Sequence, residues 1–322
     1  MRPRTRARSL SRNASGIKVG RLALPRITII TPVLNRADLL PDALNSVALQ
    51  GYSEVEHIVI DGGSTDGTLN ILRHAHGTQW QSEPDRGPFD AINKGIRRAT
   101  GDIIGHLASD DILLPGALAA VADGFSRDRG AEAACGGVQL VRLAPDGTTQ
   151  KLRTLRQERL KRLTDWRPLT LGNPISGARF FRRSWYRRAG LYDVRYRLAA
   201  DRDFLIRSVI LGMRTVPLER EVCQSRQHAG ALTAKPAQLN RLHEEYRTLA
   251  RTWMTRPDSP EELRLMACRW FSVETVRRLD LLAGKRSWHE FRSTFMDARD
   301  GLPGWPLWFV RERLRRLFRG SL

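Results

Sequence analysis

The strongest constraint on this chain is a recurrence. Short β-branched or apolar runs stop abruptly at Pro, Gly or Asp, and a stretch with helical spacing follows. Ile27-Thr-Ile-Ile-Thr31 ends at Pro32, after which Leu39, Leu40, Ala43, Leu44, Val47 and Ala48 recur as on one helix face. Val55-Glu-His-Ile-Val-Ile60 ends in the turn cluster Asp61-Gly-Gly-Ser-Thr-Asp-Gly67, and Leu69, Ile71 and Leu72 begin the next helix. Thr78 to Ser82 predicts a short strand, Phe89 to Ala99 a helix, and Ile103 to Leu107 a fourth strand. Strands alternating with helices predict an α/β fold, an open and mostly parallel Rossmann-like sheet with flanking helices. Such sheets take their ligands outside the carboxyl ends of the strands.

The fourth of these ends is the most informative. After Leu107 and Ala108 come Ser109-Asp110-Asp111, and Pro115-Gly116 opens the next helix. Two adjacent carboxylates at the end of a buried strand raise each other's pKa unless a cation sits beside them. A hard divalent ion with oxygen ligands is the usual remedy, and it brings phosphate with it. Taken alone, the same three residues also fit a polar turn with a capping Asp.

The pattern changes past Asp111. Gly116 to Phe125 is helical, and Val138 to Leu143 and Thr148 to Leu152 flank the hairpin turn Ala144-Pro-Asp-Gly147. Residues 153–177 are basic and irregular. Ala178 to Phe181 and Thr215 to Val222 predict strands, and Ala200 to Leu211 a helix. From Pro236 onward the spacing is helical. The expected organisation is a basic leader over 1–25, an α/β catalytic domain over 26–225, and a helical C-terminal region over 226–322.

Composition narrows the partners. The formal charge of +20 implies a polyanionic neighbour, whether nucleic acid, anionic lipid or a phosphorylated substrate. Aromatic residues make up only 7% and do not recur among the basic ones, so no stacking platform for nucleic acid is expected. Three widely spaced cysteines, Cys135, Cys223 and Cys268, suit a reducing cytosol and show no metal spacing. No apolar run is long enough to span a membrane. The leader carries seven basic residues and no acid before Asp38, which reads as a disordered basic tail or an organellar transit peptide. At the other end, Leu307, Val310, Leu314, Leu317 and Phe318 share a helix face. Arg311, Arg313, Arg315, Arg316 and Arg319 surround that face, and Trp305 and Trp308 stand near its start. This is the pattern of a helix lying on an anionic membrane surface, with packing against the catalytic domain as the alternative.

Two further stretches carry chemistry. Asp61-Gly-Gly-Ser-Thr-Asp-Gly-Thr68 joins a strand to a helix, its glycines permit close backbone approach, and Asp61 can accept hydrogen bonds from a base or ribose. Ser82-Glu-Pro-Asp-Arg-Gly87 and Asp90-Ala-Ile-Asn-Lys-Gly95 place Arg86 and Lys94 where they could neutralise a diphosphate.

These motifs, with Ile29-Ile-Thr-Pro-Val-Leu-Asn-Arg36, His57-Ile-Val-Ile60, Ala99-Thr-Gly101 and Ser109-Asp-Asp111, together resemble the family 2 glycosyltransferases of the GT-A fold. The resemblance is to members that build bacterial polysaccharides and glycolipids, the colanic-acid type among them, and it covers residues 26–222. It implies a nucleotide-sugar donor, in all expectation a UDP-sugar, and Mg2+ or Mn2+ as cofactor. It sets Thr31, Pro32 and Asn35 against the nucleotide, Asp61 at the base, Asp110 at the ribose and Asp111 on the metal. Ser64, Asp85, Arg86, Asn93 and Lys94 complete the implied nucleotide-binding set. Phe180-Phe-Arg-Arg183 and Gly190-Leu-Tyr-Asp193 precede a helix start whose Asp201 matches the family's general base, with Asp203 second. His228 falls where a loop over the diphosphate is expected. The implied reaction is inverting transfer to a hydroxyl of a glycan or lipid-linked acceptor, at the cytoplasmic face of the plasma membrane.

Two departures stand out. Ala108 replaces an Asn common before Ser-Asp-Asp, and Ile175-Ser-Gly-Ala-Arg179 replaces a His-Gln pair, which touches donor or acceptor specificity. The competing readings are a GT-A-like module that binds without catalysis, a basic nucleic-acid binder, and a sugar-phosphate nucleotidyltransferase. The last wants a Gly-rich basic loop after the first strand, and Thr31-Pro-Val-Leu-Asn35 is not one.

Overall fold

The computed structural model describes residues 24–155, 166–172 and 176–302. The sheet is built from β1 (Ile27–Val33), β2 (Val55–Asp61), β3 (Thr78–Ser82), β4 (Ile103–His106), β5 (Ile112–Leu113), β6 (Ala133–Leu143), β7 (Thr149–Leu155), β8 (Arg179–Arg182) and β9 (Thr215–Gln227). Its order is β3-β2-β1-β4-β8-β6-β9-β5, with β7 paired to β6 outside that path. β3, β2, β1 and β4 are parallel neighbours. β8 runs antiparallel between β4 and β6, while β6 and β9 are parallel.

The β-branched runs become strands because both faces of the parallel half are covered. Ile27, Ile29 and Ile30, like Ile58 to Ile60, are essentially without solvent exposure. Three helices make the crossovers: α1 (Leu40–Ala48), α2 (Thr68–His74) and α3 (Pro88–Arg98). In α3, Gly95 lies against Ile30 so closely that a Cβ there would sit 2.5 Å from the Ile30 side chain. The mixed half carries α4 (Ala117–Arg127), and the Ala144–Gly147 hairpin forms as expected between β6 and β7.

Four differences from the sequence expectations matter. β5 was not expected: two residues directly after Asp111 pair with Cys223 and Gln224 of β9. β9 continues to Gln227 instead of ending at Val222, because its partners on β6 extend to Arg142. α6 (Arg183–Ala189) follows β8 at once. In the stretch read as irregular, α5 (Arg167–Thr170) forms against later helices, and the rest of it to Asn173 onward lies partly outside the described residues. The leader and the basic amphipathic segment from 303 also lie outside them.

The C-terminal region is helical: α8 (Pro236–Thr255), α9 (Glu261–Gly284) and α10 (Trp288–Gly301). Trp253, Trp270 and Phe271 of this region share one apolar core with Ile30 and Ile58 of the sheet and with Phe204 of α7 (Ala200–Ile210). The expected boundary at 225/226 falls inside β9, and the elements on either side of it share this core.

Candidate functional site

The parallel half delivers its turn clusters to one edge. Asp61, the last residue of β2, is fully buried, and its carboxylate accepts from Gly63 N (3.0 Å), Ser64 N (3.0 Å), Ser82 Oγ (2.7 Å) and Ser64 Oγ. Ser64 Oγ in turn accepts from Asn35 N at 2.8 Å, and Asn35 Oδ1 accepts from Thr65 N at 2.8 Å. Asn35 has φ +50°, a left-handed conformation that Asn tolerates better than most side chains. The first and second turn clusters are thus one hydrogen-bonded unit. The Asp85 carboxyl lies over Gly62, where a Cβ would come within 2.5 Å of it, and burial raises the Asp85 pKa.

Next to this unit lies the Asp110–Asp111 turn. Asp110 Oδ2 is 3.2 Å from His228 Nε2 and 3.9 Å from Arg36 Nε. Arg36 also donates to Gly230 O at 2.7 Å, tying the loop after β9 to the loop after β1. Asp111 Oδ1 accepts from Arg226 N at 3.0 Å. Arg226 is buried; its guanidinium donates to the Asp110 carbonyl and, at 2.6 Å, to Asp42 of α1. Burial first, and then the Asp110 charge, push the Asp111 carboxyl up to about 7. A cavity of about 530 Å³ opens here, lined by Asp110, Asp111, Arg153, Ser225, Arg226 and His228 among others.

The third component is the start of α7. Asp201 lies in its first turn, half-buried, and accepts from Arg202 N at 2.7 Å. Ala199 at the N-cap has no side-chain acceptor; the chain leading into the helix is held by Glu245 of α8, whose Oε2 accepts from Leu198 N (2.7 Å) and Ala199 N (3.1 Å). The segment leading into α7 adjoins the donor-side loops: Arg197 lies over Gly87, and Tyr192 packs edge-on to His106 of β4 at 6.2 Å. Burial chiefly raises the Tyr192 hydroxyl well above its usual range, with the Asp201 charge adding to it.

Comparison with known proteins fits this layout. The model of the family described as "Glycosyl transferase family 2" matches residues 28–190, just over half of the chain. The chain belongs to glycosyltransferase family 2. It is 34% identical over 192 residues to the PGL/p-HBAD biosynthesis glycosyltransferase of Mycobacterium tuberculosis, covering 58% of this chain and 70% of that one. It is 32% identical over 106 residues to the GalNAc(5)-diNAcBac-PP-undecaprenol beta-1,3-glucosyltransferase of Campylobacter jejuni, covering 30% and 33%. Among solved structures it is similar to S. aureus TarS 1-349 in complex with UDP-GlcNAc, with a TM-score of 0.63, 16% identity and coverage of 86% and 82%. It spans 43% of the longer TarS chain. It is also similar to the mannosyltransferase PcManGT from Pyrobaculum calidifontis, in complex with GDP-Man and Mn2+, with a TM-score of 0.55, 17% identity and coverage of 92% and 88%. The fold of this glycosyltransferase is GT-A.

Within the glycosyltransferase the expected residues divide into two groups. Asn35, Asp61, Ser64, Asp110, Asp111 and His228 gather at the strand ends described above. Several others are turned to structural work. Thr31 is fully buried and its hydroxyl meets His57 Nε2 at 3.0 Å, so its side chain faces the sheet interior; Pro32 beside it is half-buried. Asn93 is buried, and its amide bridges Tyr192 O (2.8 Å) and Tyr192 N (3.0 Å). Lys94 bolts α3 to the preceding loop through Pro84 O (2.9 Å) and Glu83 (2.8 Å). Arg86 is mostly exposed and paired with Asp90. Asp203 is buried and held by Arg207 Nε at 2.7 Å. Sequence reading missed Arg36, Arg153, Ser225, Arg226 and Glu245. The Ser225-Arg-Gln-His228 run beside the expected loop was the signal for two of them.

Proposed function

We propose that this glycosyltransferase moves a sugar from a UDP-sugar to a hydroxyl of a glycan or lipid-linked acceptor, with inversion and with a divalent metal at Asp111. The observation that carries the reading is the Asp110–Asp111 turn, where two adjacent carboxylates sit at a strand end and one is pushed up to about 7. Those two carboxylates, an oxygen-only donor set, fit Mg2+ or Mn2+. Among the described residues no group of three or more His, Cys, Asp or Glu side chains could enclose a metal. The protein would therefore supply Asp111, with diphosphate and water completing the shell, as is usual where Mg2+ meets a phosphate substrate. The bound ion would stabilise the charge that develops on the departing diphosphate.

The chain's own residues do the rest. The Asn35–Ser64–Asp61 unit forms the floor against which the base would lie, and Asp110 would exchange His228 and Arg36 for the ribose hydroxyls. Arg36 and His228, released, stand next to the diphosphate. Asp201 takes the proton from the acceptor hydroxyl as its oxygen attacks the anomeric carbon and the bond from that carbon to the phosphate oxygen breaks. A single base opposite the leaving group gives inversion.

The test is a thermal-shift titration with UDP and UDP-sugars, with and without Mn2+. Ligand at 100 times its Kd stabilises the native state by roughly 2.7 kcal/mol, which is readily seen. The metal-dependent shift is expected in the native protein and absent in Asp111→Ala; an equal shift in both would sink the site assignment. Placement on the inner membrane face rests on the basic residues beyond 303, since no helix among the described residues is long and apolar enough to cross a membrane. Deleting 303–322 should release the protein from anionic vesicles, and retained binding would remove that placement.

A further inference from the structure

We infer, on the reading of Asp111 as the metal ligand, that a polar stripe on α1 and the buried Arg226 of β9 together form a positioning device, which holds the Asp110–Asp111 turn in register with the nucleotide floor. The stripe consists of Asp42, Ser46 one turn on, and Gln50 just past the helix end. Ser46 and Gln50 reach the segment after Asp111 directly. Ser46 Oγ accepts from Leu113 N at 3.0 Å. Gln50 is 7% exposed; its Nε2 donates to Leu114 O at 3.0 Å and to Leu113 O at 3.3 Å, and its Oε1 accepts from Leu118 N of α4 at 3.2 Å. Asp42 acts through Arg226. Its carboxylate accepts from Arg226 Nη1 at 2.6 Å, and the same guanidinium donates to the Asp110 carbonyl and, at 3.4 Å, to Leu39 O. The backbone N–H of Arg226 donates to Asp111 Oδ1 at 3.0 Å.

Two features tie this network to the site. The Arg226 side chain is 3% exposed, whereas that of Asp42 is 54% exposed. Taking a guanidinium out of water to meet one such carboxylate and two carbonyls is a poor source of stability. What it supplies is direction, because the planar fork fixes several acceptors at once. The bond from Arg226 N to Asp111 Oδ1 likewise sets the plane in which that carboxylate presents its other oxygen to an ion. The second feature is the far end of α1. There Leu40 N donates to Arg36 O at 2.9 Å, one residue from Asn35 of the nucleotide floor. One helix thus runs from the floor to the turn. A nucleoside and its diphosphate are one molecule, so the spacing of floor and turn governs how much the metal adds to nucleotide binding.

The test is calorimetry of UDP with and without Mn2+, the ratio of the two dissociation constants being the metal enhancement. Groups that orient a metal ligand are commonly worth about 10- to 100-fold in metal affinity. Asp42→Ala, at an exposed position, and Ser46→Ala, at a half-buried one, should each cut the enhancement by about tenfold or more and leave metal-free UDP binding within about twofold. Asp42→Glu keeps the charge that Arg226 meets and should recover most of the enhancement, which a merely loosened fold would not explain. Asn45→Ala, exposed on the same helix, should change neither constant. Where a truncation does not fold, Asp42→Asn, which keeps an acceptor oxygen, is read in its place and is expected to lose enhancement in the same way. Unchanged enhancement in these variants, or an equal loss of UDP binding with and without metal, overturns the inference. The site reading fails differently. If the native protein shows no enhancement, or Asp111→Ala keeps it, the metal assignment falls and the positioning role with it. If Asp111→Ala abolishes the enhancement while Asp42→Ala and Ser46→Ala retain it, only the positioning role falls.

Discussion

Asp111 and Asp201 are both half-buried carboxylates, and their surroundings differ. Asp111 has a like charge beside it and an N–H from Arg226, and so calls for a cation. Asp201 sits in the first turn of α7, where its carboxylate accepts from Arg202 N. Asp201→Asn should therefore lower kcat by about 100- to 10,000-fold, the usual worth of a general base, with UDP affinity unchanged. Steady-state kinetics beside UDP calorimetry will separate this from a structural role, in which both would fall. Asn93 offers a contrasting residue-scale prediction. Its amide satisfies both the N–H and the C=O of Tyr192 inside the protein. Asn93→Ala should cost roughly 2–4 kcal/mol in urea unfolding by leaving those groups unpaired.

Among the elements, α7 is the most consequential because it carries the proposed base and its lead-in is held from another helix. The N–H groups of Leu198 and Ala199, just before the helix, are both held by Glu245 on α8. Glu245→Ala should destabilise the protein by about 1–3 kcal/mol, as leaving partly buried N–H groups unpaired does, and lower kcat more than the donor KM rises. A fall in stability with unchanged kcat would show that the α7 start holds its position without Glu245. In α3, Gly95→Ala gains roughly 1 kcal/mol of helix propensity. It also forces a Cβ against Ile30, an overpacking worth about 1–3 kcal/mol, so a net loss in melting temperature is expected. The helices and long strands were legible because their apolar spacing is regular. β5 was not: two residues have no period, and only pairing with β9 makes them a strand.

At the scale of the whole molecule, the interior holds ionisable groups whose titration is felt on folding. Burial pushes both His57 and His106 down to about 4. The unfolded chain, with His near 6.5, binds more protons than the native one between pH 4 and 6.5. Stability is therefore full above 6.5 and is lost as pH falls toward 4, by about 3 kcal/mol per histidine at the lower end. His57→Gln should flatten that decline in chemical unfolding measured across the window, and an unchanged slope would place the proton elsewhere. The same interior revises what +20 means. Arg179, Arg202 and Arg226 are at most 5% exposed. Arg202 and Arg226 bind backbone carbonyls, so part of the positive charge serves as internal bolts and not as a surface for polyanions.

The sequence alone determined the α/β class and the family, and it singled out Asp61, Asp110, Asp111 and Asp201 as the candidates for the site. All of these lie in local runs, where a β-branched strand must stop and a turn must follow. What required the tertiary structure is everything made by partners distant along the chain. Arg226 locks a turn 116 residues earlier, Glu245 holds the approach to a helix 46 residues earlier, and Arg202 meets the rings of α8 and α9. Thr31, Asn93 and Asp203 have the right residue types for a ligand, yet His57, Tyr192 and Arg207 claim them. A side chain's partner depends on which surfaces the core brings together, and that is a property of packing, not of any one stretch.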